Sequence, residues 1–262
     1  ELDRIADQGI QFERAYCQNP VCGPARASLL TGQYPTALGT PGNPKCGAWR
    51  KRYPDLVTLP QHFIANGYDA VHCGKIYHGK MNDMEKSWSR GPAWNRLKIK
   101  RTPTPGGYAD PRNQKIQAAN KEKMVAKYGK EASYGLVQGP AYEGADVADH
   151  VYSDGFNTQL AIATLQAHLK NKPDTPLFLG LGFYKPHLNF VAPKKYWDLY
   201  DRNDIKLATQ TKGPKNGAAT GIHASFELRV RHGIPKYGPI GDDLSRTLLH
   251  GYYACVSYVD AQ

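Results

Sequence analysis

The chain has 262 residues, 40% of them hydrophobic, with 26 Gly and 19 Pro; this suits one sizeable, turn-rich globular domain and excludes a largely disordered chain. A formal charge of +11 favours anionic partners, without separating nucleic acid from sulfated glycan or a membrane surface. No apolar run is long enough to span a bilayer and no basic-then-apolar leader stands at the start, so a soluble chain is expected.

In chain order, residues 1–9 read as a helix with Leu2, Ile5 and Ala6 on one face, followed by an extended run over 10–17. In NPVCGPARASLLTGQYP, Pro24 suits a first helical turn, Ala25 to Leu30 continue it and Gly32 ends it. Cys22 thereby falls at or just before a helix N-terminus. A Gly/Pro-rich loop (39–47) leads to a helix over 58–66, expected to bury Leu59, His62, Phe63 and Ala65, and to a strand over 69–73. Lys75 and His78 then lie just past the strand's carboxyl end, the edge where open α/β sheets bind ligands.

Residues 80–150 read as a basic, loop-rich insertion with one helix near 113–128 and no RNP-like or zinc-finger pattern. Asp154 is a candidate N-cap for a helix closed off by Pro173. The segment 176–183, PLFLGLGF, is apolar throughout, as a buried parallel strand would be, and Tyr184, Lys185, Pro186 and His187 follow it. A short helix is expected at 194–200, irregular structure over 201–240 and a helix from about Asp243. The alternation points to an α/β fold, a mostly parallel central sheet with helices on both faces. With no element before the first helix and no cap on the last, the chain is expected to begin and stop inside a domain.

Five cysteines without paired C-x-x-C spacing argue against a zinc site, and the odd count leaves at least one thiol unpaired. The most specific pattern is Cys22-Gly23-Pro24-Ala25-Arg26 with Thr31-Gly32 closing the same helix. It resembles the C-x-P-x-R signature of the formylglycine-dependent sulfatases, in the alkaline-phosphatase-like superfamily. There the cysteine is oxidised to formylglycine, held as a hydrate. The resemblance implies Cys22 as nucleophile precursor and metal ligand, and Arg26 as a brace for the formylglycine and the bound sulfate. A sulfate ester is anionic, so attack on sulfur needs its charge neutralised and a nucleophile fixed beside it. A helix N-terminus with an arginine one turn on supplies both from one rigid element.

Gly74-Lys75-Ile76-Tyr77-His78 resembles the Gly-Lys-x-x-His segment of the same family, implying that Lys75 and His78 contact the hydrate and the sulfate oxygens. Lys185-Pro186-His187 resembles the Lys-Pro-His of iduronate-2-sulfatase-like enzymes, implying that His187 reaches the ester oxygen or the sulfate and that it or a neighbour protonates the leaving alcohol; Lys185 is a candidate for a substrate carboxylate or for solvent. TLPQHFIANGY, PKKYWDLY and YGPIGDDLSRTLLHGYYACVSYVDAQ extend the likeness. The expectation is a partial sulfatase catalytic domain over 1–262, with the basic insertion at about 80–150.

Family members bind a divalent cation, usually calcium, through an Asp-Asp pair and a later Asp-His or Asp-Asn pair. Neither pair is in this sequence, Asp242-Asp243 being expected in a loop before a helix, so only position 22 carries over as a ligand and this stretch alone is expected to bind calcium poorly and to be inactive. The implied partners are a sulfated polysaccharide or glycosaminoglycan and the enzyme that makes formylglycine, with no nucleic acid and no membrane span. The implied location is periplasmic, secreted or lysosomal. The rival readings are a phosphodiesterase or phosphonate hydrolase of the same superfamily and a catalytically dead polyanion-binding scaffold.

Overall fold

A computed structural model describes residues 1–43, 46–78, 83, 85–89, 97, 99–130, 138–210, 212–218, 223 and 225–262. The chain divides into two compact units, residues 1–100 with 156–184 and residues 101–155 with 185–262.

The first unit is built on a parallel strand pair, β1 (Asp69–Gly74) and β3 (Leu177–Gly182), in register from Asp69 opposite Leu177 to Gly74 opposite Gly182. Its helices are α1 (Leu2–Gln8), α2 (Cys22–Thr31), α3 (Pro35–Leu38), α4 (Ala48–Arg52), α5 (Leu59–Ala65) and most of α7 (Ser153–Asn171). Strand side chains alternate between faces. Ala70 and Phe178 accordingly pack with Ala27 and Leu30 of α2 and Ile64 of α5, whereas Cys73, Leu179 and Leu181 pack with Phe156, Leu160 and Ala161 of α7. Helices therefore cover both faces of the parallel pair, as the alternation of elements predicts.

Local chemistry fixes the boundaries. Thr58 and Gln61 form a reciprocal capping box that starts α5. The Gly32 N–H closes α2 on the Ser28 carbonyl at 2.8 Å. At the amino ends of the strands, buried Asp69 meets His168 of the last turn of α7 (3.3 Å) and Lys172 just past its end (3.1 Å).

The second unit holds α6 (Pro111–Tyr128), β2 (Tyr142–Glu143), β4 (Phe190–Val191), α8 (Lys194–Trp197), α9 (Phe226–Arg229) and α10 (Asp242–Ala261). Strands β2 and β4 pair in parallel. One core gathers Tyr152, Val191, Ala192 and Tyr196 against Ala254, Cys255 and Tyr258 of α10. The Glu143 carboxylate is buried and answered by four donors: the Ala109 and Asp110 N–H groups, Asn113 Nδ2 and Tyr152 Oη, at 2.6 to 3.2 Å.

Three expectations need correction. The run over 10–17 forms no strand, and Ile10, Phe12 and Tyr16 are largely exposed; an extended segment without a ladder partner does not become a strand. In α5 the buried residue is Pro60, with Phe63 stacked on Phe178 at 4.5 Å and Ile64 in the core, while Leu59, His62 and Ala65 are exposed. Asp242 and Asp243 stand in the first turn of α10, where their charge favours the helix dipole. Part of the predicted basic insertion, including 90–96 and 131–137, lies outside the described residues.

Candidate active site

Cys22 is the first residue of α2, preceded by Val21, an extended N-cap without a side-chain hydrogen bond. The cap comes from a distant loop: Asn43 Oδ1 accepts from the Gly23 N–H at 2.9 Å and lies 3.5 Å from Cys22 Sγ. A side chain at position 23 would meet Cys46 Cβ and Asn43 Oδ1, so glycine is what lets this loop close onto the helix start. Pro24 has no N–H and the Ala25 N–H is bonded to Val21 O at 3.1 Å, so the Cys22 N–H and the positive end of the dipole are what stand free beside the thiol.

The segment after β1 is drawn to the same place. Gly74 ends the strand with φ +73, a left-handed conformation that a Cβ would strain and that also brings its backbone against Gly182. Lys75 N–H then donates to Gly182 O at 2.9 Å, carrying the ladder one residue further. Arg26, one turn into α2, donates through Nη1 to Lys75 O at 2.5 Å and Ile76 O at 2.8 Å, stitching the helix to the loop. His78 Nδ1 stands 3.1 Å from Cys22 Sγ. The Lys75 ammonium lies 5.8 Å from the centre of the Tyr184 ring, within cation–π range.

Burial lowers the Arg26 pKa, and nearby Cys22 and Tyr184 oppose that shift. An arginine starts so high that it remains a cation. Three other thiols are packing groups: burial pushes Cys73 up to about 11, Cys255 up to about 12 and Cys46 upward as well. All five cysteines are free.

The structure thus brings together four of the predicted residues, Cys22, Arg26, Lys75 and His78, in the first unit. Lys185 and His187 belong to the second. There the Lys185 ammonium donates to His187 O at 3.0 Å and Asn189 O at 2.5 Å, and its N–H donates to Oδ2 of the fully buried Asp154 at 2.8 Å. His187 has Nδ1 at 2.6 Å from Leu188 O and Nε2 at 3.3 Å from the Glu227 carboxylate of α9. The His187 ring is exposed.

Sequence reasoning missed Asn43, Glu227 and the docking of Arg26 on backbone carbonyls. Asn43 and Glu227 sit in stretches with no motif, and the site residues they meet, Gly23 and His187, are 20 and 40 positions away. Tyr184 had a signal, because it directly follows the strongest predicted strand.

Among the described residues, no group of three or more His, Cys, Asp or Glu side chains could hold a metal ion. The family's cation would find one ligand here, the oxygen at position 22 once modified, and a hard cation needs several. The residues present do not by themselves make that site.

The profile of the family described as Sulfatase matches residues 1–262. Iduronate 2-sulfatase from Mus musculus is 29% identical over 100% of this chain and 45% of its own length. A sulfatase from Formosa agariphila is 27% identical over 99% of this chain and 48% of its own. The chain spans about half the length of these curated relatives. Among solved structures, a phosphonate monoester hydrolase of Agrobacterium radiobacter superposes with a TM-score of 0.54 at 17% identity, over 99% of this chain and 52% of that one. That likeness concerns the fold and agrees with the alkaline-phosphatase-like architecture. With a full-length family match and a cysteine motif set at a helix start beside His78 and Arg26, the chain belongs to the sulfatase family.

Proposed function

We propose that the protein carrying this chain hydrolyses sulfate esters of sulfated polysaccharide or glycosaminoglycan sugars, through a formylglycine made from Cys22 by a maturation enzyme. The observation that carries the reading is the Cys22 thiol at the amino end of α2, 3.1 Å from His78 Nδ1. Formylglycine, as its hydrate, supplies an oxygen nucleophile where Sγ now stands. Divalent metal chemistry, with calcium the family's usual ion, draws mostly on ligands beyond the described residues.

The chain's own residues do the rest. The start of α2 offers the Cys22 N–H and a positive end to the sulfate. Arg26 holds the Lys75–His78 loop against α2, and Lys75 and His78 offset the negative charge that builds on the sulfuryl oxygens. His78 faces the residue at position 22 and can exchange a proton with it. His187 gives a proton to the leaving alcohol. Lys185 holds the His187 loop by its carbonyls, which supports a positioning role over direct substrate contact.

No helix among the described residues is long and apolar enough to cross a membrane. The family resemblance supports a periplasmic, secreted or lysosomal setting. The test is steady-state kinetics of the full-length protein, co-expressed with a maturation enzyme, on an aryl sulfate and an aryl phosphodiester. A clear preference for the sulfate supports the proposal. Preference for the diester would transfer the site to the phosphonate-hydrolase branch, and no turnover of either with a modified Cys22 would leave a binding scaffold.

A further inference from the structure

Helix α6 is held to its unit in an unusual way. It has no fully buried residue over 18 positions. Side-chain amides anchor it instead: Asn113 to Glu143, Gln114 to Tyr108 O and Asn120 to Gln138 O, each at 2.8 Å. At about 100° per residue, Asn113, Gln117, Asn120 and Met124 mark the side toward the unit, and all four are partly buried.

The exposed flank carries charge. Arg112, Lys115, Lys123 and Lys127 are exposed and fall within an arc of about 120° that reaches round to the flank beside Asn120, with exposed Glu122 about 20° outside it, and Lys115 to Lys127 spans about 18 Å of helix. Residues 101–130 contain seven Lys or Arg against two Asp or Glu, a net +5 of the chain's +11. Arg112 pairs with Asp110 at 2.6 Å. Lys115 and Lys123 make no ion pair among the described residues. Lys123 and Lys127 are a like-charged i,i+4 pair, an arrangement that disfavours a helix. A solubilising surface would mix the signs. Glu122 borders this arc, but within the arc every charged residue is basic, and an anion would relieve their repulsion.

We propose that the outer face of α6 binds a run of an anionic polysaccharide, outside the catalytic machinery. This deepens the sulfatase reading and rests on it for the choice of a sulfated glycan. An 18 Å row of lysines is longer than one sugar and suits a polymer. The face lacks the large apolar side chains with which an interfacial helix enters a membrane. It also lacks the row of aromatics on which single-stranded nucleic acid stacks, Tyr128 standing alone at its end.

The test compares the full-length protein with a Lys115→Gln, Lys123→Gln, Lys127→Gln variant, binding fluorescent dextran sulfate over a salt series. The variant should bind about tenfold more weakly at low salt, and its log affinity should fall with log salt by up to about one unit less per lysine removed. Its kcat and KM on a small aryl sulfate should match the unsubstituted protein. Unchanged dextran sulfate affinity, equal binding of uncharged dextran, or tighter binding of duplex DNA or phosphatidylserine vesicles would each overturn the proposal. Absence of aryl sulfate turnover in the unsubstituted protein would instead count against the catalytic reading, since the binding comparison needs no turnover.

Discussion

Arg26→Met is the most informative single perturbation of the first unit. Arg26 Nη1 serves two carbonyls, Lys75 O at 2.5 Å and Ile76 O at 2.8 Å, in a half-buried setting. Methionine keeps much of the aliphatic packing but leaves both oxygens unanswered. A hydrogen bond from a charged donor contributes about 1.5–3 kcal/mol, and one nitrogen shared by two acceptors places the loss near the lower end of the sum, about 3 kcal/mol. With a urea m-value of about 2–3 kcal/mol per molar, the unfolding midpoint of the first unit should fall by about 1–1.5 M. The freed loop carries Lys75 and His78, so kcat on an aryl sulfate should drop by about 100- to 1000-fold. Arg26→Lys, which keeps the charge but not the fork, should recover no more than half of the lost stability. The assay is urea denaturation followed by circular dichroism, with kinetics on the same preparations. A wild-type midpoint for Arg26→Met, or full recovery by Arg26→Lys, would refute the bracing role.

Other expectations follow from the same geometry. Burial on β1 holds His72 neutral with a pKa lowered to about 4; because the folded value lies below the unfolded one, its stabilisation is complete above about pH 6.5 and is lost as pH falls toward 4. The span is about 3 kcal/mol, so His72→Gln should flatten the acid limb of a urea-midpoint profile between pH 7 and 4, and an unchanged limb would place the sensitivity elsewhere. Asn43→Ala should cost about 1 kcal/mol by removing the acceptor of the Gly23 N–H and should lower kcat; a loss of stability with full activity would make the cap merely structural. Lys185→Met should lower kcat most for substrates with poor leaving alcohols, leave KM nearly unchanged and be partly rescued by Lys185→Arg. A rise in KM alone would return Lys185 to substrate binding.

The strand edges and the long helices were legible because each is written in a contiguous run. PLFLGLGF predicts β3, the run over 58–66 predicts α5, and Pro24 followed by helix formers predicts α2 with Cys22 at its head. The two-residue strands β2 and β4 were not legible, since Tyr142 and Phe190 meet across 48 positions and neither flank alternates. The short helices α3, α4 and α9 lie in segments whose Pro, Gly and charge content reads as loop. At the site, the motif named the cysteine and its cations but not what holds them. In the first unit that framework consists of the backbone carbonyls of Lys75 and Ile76 and the amide of Asn43, and in the second the Glu227 carboxylate meets His187, all contacts made at a distance in sequence. Exposed Leu2, Ile5 and Phe12 mark the opposite failure, an apolar pattern without a buried face.

The central claim is that position 22 works as an oxidised cysteine. Mass spectrometry of the peptide spanning Cys22, from full-length protein co-expressed with a formylglycine-generating enzyme, tests it most directly. The expected product has lost sulfur and two hydrogens and gained one oxygen, in proportion to aryl sulfatase activity across preparations. An intact thiol in fully active protein would contradict the account.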